Sequence, residues 1–80
     1  MTKLQELRKK IGLSQSQLAY LSGVKFRMLQ NYEQGQKPID NAHLETILRL
    51  CIALKCNIGD LIEADDLKEL YTEYERSTGV

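Results

Sequence analysis

Arg27, Gln30 and Asn31 lie within one short stretch and carry side chains suited to reading base edges in duplex DNA. A guanidinium can grip guanine O6 and N7, and a carboxamide can pair with adenine N6 and N7. Each good bidentate pair discriminates by about 1–3 kcal/mol. Phe26 and Met28, interleaved with them, offer apolar contact to a thymine methyl. Such chemistry needs a rigid element that turns these groups toward solvent.

A helix over about residues 25–33 meets that need. With Leu29 set toward the core and about 100° per residue, Arg27 falls near 160°, Asn31 near 200° and Gln34 near 140°, all outward. On the same wheel Gln30 and Met28 lie on the flanks, Phe26 at the helix entrance, and Tyr32 and Lys25 on the buried side or its margin. A preceding helix over about 15–21, opened by Ser14 and Gln15 and turned at Gly23, makes a pair of short helices around a glycine corner. This is the arrangement that lodges the second helix of the pair in a major groove. Leu18 and Ala19 point inward, and Val24, Leu29 and Tyr32 fasten the second helix to the core.

Phosphate contacts are expected from groups framing that helix. The N-terminus of the preceding helix offers free N–H groups and a positive dipole end beside Ser14 and Gln15. Lys25, Gln36 and Lys37 stand on the other side. Arg8 is set apart from these contacts: it lies next to the apolar stripe of the first helix, while Glu33 sits at about 40° on the core side of its own helix. An Arg8–Glu33 ion pair locking the two helices is therefore expected.

The remaining elements announce themselves through capping residues and helical periodicity. Thr2 with Gln5, Ser14 with Gln17, and Asp66 with Glu69 fit the capping-box pattern; Asp40 and Asn57 are further N-cap candidates. A first helix is expected over about 3–11, ended by Gly12; a fourth over about 41–54, with Leu44, Ile47, Leu48, Cys51 and Leu54 on one face; a short fifth near 58–62; and a sixth over about 66–76. No alternating apolar pattern long enough for a strand occurs. The expected fold is all-α: a compact five-helix domain over residues 1–63 and an acidic amphipathic helix and tail over 64–80.

Charge is segregated along the chain. Its 80 residues balance to zero, yet residues 1–37 hold seven basic side chains against two acidic, and residues 38–80 hold four basic against nine acidic. A basic half and an acidic half suit one face turned to phosphate and one turned away. The hydrophobic share of 42% suffices for one core, and no run of about 20 apolar residues provides a membrane span. The polar N-terminus does not read as a signal peptide, so a cytoplasmic location is expected. Cys51 and Cys56, five apart, are read as pointing to different faces, which is poor disulfide geometry. The single histidine, His43, completes no zinc site. No catalytic grouping, metal-ligand cluster or glycine-rich phosphate loop is legible, and neither an enzyme nor a cofactor is expected.

The segments LRKKIGLSQSQLAYLSGV, NYEQGQKP and LRLCIALKCNIGDLIE together resemble the lambda-repressor-like, or Xre/Cro repressor, helix-turn-helix family over about residues 3–62. The resemblance implies a five-helix DNA-binding domain acting as a homodimer on palindromic operators in double-stranded DNA, as in a small bacterial or phage-type repressor. By position, Gln15 corresponds to the family's phosphate-touching glutamine, with Ser14 beside it. Phe26, Arg27 and Asn31 fall where members read bases, and Arg8 and Glu33 match a family ion pair. Phe26 and Met28 are apolar where many relatives carry Ser, Thr or Gln. Leu67, Leu70, Tyr71 and Tyr74 then form a narrow stripe on the acidic last helix, suited either to a strut on the domain's own core or to dimerisation. A second functional class remains open: an antitoxin or protein-interaction module, partnered with a toxin, with autoregulatory DNA binding or none.

Overall fold

The computed structural model describes residues 1–79. Six α-helices follow in order: α1 (Lys3–Lys10), α2 (Gln15–Ser22), α3 (Phe26–Glu33), α4 (Leu44–Leu54), α5 (Ile58–Leu61) and α6 (Asp65–Ser77), with a 3₁₀ turn at Ile39–Asn41 before α4. Among the described residues there is no strand, and no helix is long and apolar enough to cross a membrane.

Each of the first five helices delivers one leucine to a common centre. Leu4, Leu18, Leu29, Leu50 and Leu61 are fully buried, and Val24, Tyr32, Ile39, Cys51 and Leu54 close around them. A buried leucine contributes about 1.5–3 kcal/mol relative to an exposed one, so this shared point is what makes five short helices one body. α2 packs on both α3 and α4, and α1 on α3 and α5.

Local chemistry sets the helix ends. Thr2 Oγ1 accepts the Gln5 N–H at 3.3 Å. At α2 the box is reciprocal: Ser14 Oγ accepts from Gln17 N at 3.1 Å, and Ser14 N donates to Gln17 Oε1 at 2.8 Å. Gly23 ends α2 in the left-handed region at φ 75°, a conformation that glycine adopts without the Cβ penalty. There the chain turns sharply enough for α3 to cross α2.

Two expected boundaries differ, for one reason. Asp40 does not cap α4, which begins at Leu44 after the 3₁₀ turn. Its carboxylate instead accepts the N–H groups of Glu63 at 2.8 Å and Ala64 at 2.9 Å, holding the entrance of α6 from across the molecule. Relieved of that need, α6 starts at Asp65 with Ala64 as its N-cap. Asp66 forms no box with Glu69; its Oδ1 accepts the Leu67 N–H.

The cysteines also differ from expectation. After Leu54 the chain reverses through a left-handed Lys55 (φ 55°), and the Cys56 N–H donates to the Cys51 carbonyl at 3.1 Å. The reversal brings the two residues together rather than onto separate faces. Both remain free thiols. Burial, then the neighbouring Cys51, pushes the Cys56 thiol up to about 12.

Candidate nucleic-acid interface

α3 presents two unlike sides. Leu29, Tyr32 and Glu33 are buried against the body. Phe26 and Arg27 are exposed, and Gln30 and Asn31 are half-buried. Lys25, expected near the buried margin, is the exposed N-cap of α3. Met28 is half-buried, as Gln30 and Asn31 are, and packs against the core cluster on its flank of α3, while the flank of Phe26 is open.

Arg8 and Glu33 form a doubly hydrogen-bonded pair. Arg8 Nε donates to Glu33 Oε2 at 2.7 Å and Arg8 Nη2 to Glu33 Oε1 at 3.0 Å. Arg8 is 8% and Glu33 3% exposed. The guanidinium also donates to the Leu13 carbonyl at 2.8 Å, and the Thr2 hydroxyl donates to the Glu33 carbonyl at 3.1 Å. α1, the α1–α2 loop and the end of α3 thus share one polar knot, and among the described residues no buried side-chain N or O is left without a partner.

Gln15 belongs to that knot as well. Its Nε2 donates to Glu33 Oε1 at 3.0 Å, which fixes the side chain at the start of α2 beside the far end of α3. One amide hydrogen and the carbonyl oxygen remain for another partner. Spacing alone gave no sign of this bond, since Gln15 and Glu33 lie on different helices. Ser14 has its Oγ engaged as the α2 cap, while the backbone N–H groups of the first turn lack intrahelical partners. On the C-terminal side, the Gln36 and Lys37 N–H groups both donate to the Asn31 carbonyl, at 2.9 and 3.3 Å. That pairing holds the loop against α3 and leaves both side chains exposed. Ser14 and Gln15, with Gln36 and Lys37, therefore stand at one end of α3 and Lys25 at the other.

Along α2 and α3 themselves the exposed charges are of one sign. From residue 7 to residue 39 the sequence contains one carboxylate, Glu33, and it is buried and paired with Arg8. Lys25, Arg27 and Lys37 consequently stand on a surface of α2 and α3 that exposes no carboxylate. Such a surface attracts a polyanion, with the exposed Glu63 at its edge beside Gln15 and Gln34.

Over residues 4–61 the sequence matches the helix-turn-helix family, HTH_3. The chain belongs to this family. It is similar to a protein of Haemophilus influenzae described as an uncharacterized HTH-type transcriptional regulator, 47% identical over 47 residues. That match covers 59% of this chain and 45% of the relative, so the chain spans less than half the length of the curated relative it matches. Its fold is similar to the crystal structure of the restriction-modification controller protein C.AhdI from Aeromonas hydrophila, with a TM-score of 0.67 and 40% identity over 75% of this chain and 86% of that one. The family match ends at residue 61, before α6 begins.

Proposed function

We propose that this helix-turn-helix protein is a sequence-specific DNA-binding transcriptional regulator that seats α3 in the major groove. The observation that carries the reading is the anion-free surface of α2 and α3: the single carboxylate of that stretch is turned inward onto Arg8. In this reading Arg27, Gln30 and Asn31 read base edges and Phe26 contacts a thymine methyl. Ser14, Gln15, Lys25, Gln36 and Lys37 hold phosphates on either side, with Glu33 aiming the Gln15 carboxamide. The regulatory role is supported by the description of the Haemophilus relative and by the controller function named for the Aeromonas protein. Two copies acting on a two-fold symmetric operator follow from the small number of base contacts one α3 can make.

Selection from a random DNA pool at two salt concentrations tests the reading. A short two-fold symmetric motif should be enriched, with affinity falling steeply as salt rises. Arg27→Ala should lose discrimination at particular base pairs, by about 5- to 150-fold each. Enrichment of no motif, or an unchanged preference in Arg27→Ala, would overturn it.

A further inference from the structure

Just beyond the end of the family match at residue 61, the chain sets a carboxylate beside the head of α2. Glu63 lies in the link between α5 and α6, and both its backbone and its side chain are fixed. Its N–H donates to the Asp40 carboxylate at 2.8 Å, and its own Oε2 accepts the Lys3 N–H at the start of α1. The N-terminal end of a helix carries positive dipole charge and favours a carboxylate. Swinging the side chain away would forfeit both the bond and that attraction. An open recess of about 510 Å³ is shared there by Thr2, Gln5, Gln15, Glu33, Gln34 and Glu63. Within it Glu33 is paired with Arg8, whereas Glu63 is exposed and belongs to none of the ion pairs among the described residues. One fixed negative charge therefore stands at the edge of the proposed interface.

We propose that Glu63 is an electrostatic stop: it repels the DNA backbone at the α1 edge of the interface and holds down affinity for non-specific DNA. This role rests on the DNA-binding reading and adds to it a residue that opposes binding. Gln15 shares the recess with Glu63, so a phosphate on the free amide hydrogen of Gln15 stands one carboxamide away from the Glu63 charge. Two unit charges about 8 Å apart repel by an amount worth about two-fold in affinity at the dielectric constant of water, and about thirty-fold at the effective value near a protein surface. Like charges set against each other across an interface also suppress wrong alignments. On its own site the base contacts of α3 fix the register and keep phosphates on α2 and α3. On other sequences only phosphate contacts remain, the duplex is free to shift toward α1, and each such shift brings a phosphate onto Glu63. The penalty therefore falls more heavily on non-specific complexes than on the specific one.

Fluorescence anisotropy of the full chain, with a duplex of random sequence and with a duplex carrying the motif enriched by selection, tests this. Glu63→Gln keeps an oxygen to accept the Lys3 N–H and removes only the charge, and Asp40 holds the backbone N–H whatever the side chain. Its helical circular dichroism should match the wild type. It should bind the random duplex about two- to thirty-fold more tightly at low salt, and the selected motif by a smaller factor. The gain should fade as salt rises past about 0.15 M, where the Debye length is about 8 Å; a gain from altered packing would persist. Glu63→Asp, which retains the charge, should show no gain. Glu73→Gln makes the same change in net charge at an exposed position on α6 and should leave affinity as it was. Unchanged binding of the random duplex by Glu63→Gln, an equal gain in Glu73→Gln, or a gain that salt leaves intact overturns the proposal while the DNA-binding reading stands. Failure of wild type and Glu63→Gln alike to bind any duplex would bring down the DNA-binding reading itself, and this role with it.

Discussion

Removing the Glu33 carboxylate should damage this protein more than any surface substitution. In Glu33→Ala the Arg8 guanidinium, now 8% exposed, would lose its bonds to Glu33 and keep one, to the Leu13 carbonyl. An uncompensated buried charge of this kind destabilises by about 3–5 kcal/mol. For 80 residues at roughly 0.05–0.15 kcal/mol per residue the whole stability is about 4–12 kcal/mol. The variant should therefore unfold at a much lower urea concentration and, at the low end of that range, be largely unfolded without denaturant. Urea titration followed by far-ultraviolet circular dichroism measures this. Comparison with Arg8→Met and with the double variant Arg8→Met/Glu33→Leu separates the worth of the pair from the penalty of orphaning one member. The double variant should recover most of the loss, since apolar replacement of a buried pair is often neutral or stabilising. A loss below about 1 kcal/mol for Glu33→Ala, the range of exposed pairs, would refute the claim that this pair is buried and holds α1 to α3.

Further substitutions probe the other parts. Lys37→Ala should weaken binding to all DNA sequences alike and lower the salt slope by about 0.9 for one lost phosphate contact; a changed sequence preference in an equilibrium binding assay would count against its role. Gly23→Ala should cost about 1–2 kcal/mol for placing an L-residue in the left-handed region, since the Arg49 Nη1 that its Cβ would meet at 3.2 Å is the end of an exposed side chain and can move away; thermal denaturation checks it. With its thiol pushed up to about 12, Cys56 should alkylate roughly a thousand-fold more slowly at neutral pH than a free thiol near 8.5–9, because the thiolate is the nucleophile. The rate should climb about ten-fold per pH unit below that value, and labelling at the free-thiol rate in native protein, read by mass spectrometry, would contradict it.

How much of this was legible beforehand depended on the range of the interaction involved. Ser14 with Gln17 and Thr2 with Gln5 act within one turn, so spacing alone identified the starts of α2 and α1. The inward direction of Leu29, Tyr32 and Glu33 followed from helical periodicity, and with it the pairing of Glu33 to Arg8. Asp40 was misassigned because an N-cap is a local inference: its carboxylate had a short-range use in the pattern and a long-range one, to Glu63 and Ala64, in the fold. Met28 illustrates the same limit, since a flank position on a wheel does not say which neighbour covers it. Gln15 is the instructive case. Its place at the head of α2 suggested a phosphate contact, and the fold adds a bond to Glu33 that no periodicity encodes. The two are compatible because a carboxamide has two N–H donors and one bond to Glu33 leaves the second free. In the proposed reading, stability and recognition are thereby coupled through one carboxylate. A variant that leaves the Arg8–Glu33 pair in place but removes the carboxamide, Gln15→Ala, should lose affinity for DNA of every sequence before it loses preference among sequences. Loss of preference at unchanged overall affinity would mean that Gln15 positions the base-reading side of α3 instead.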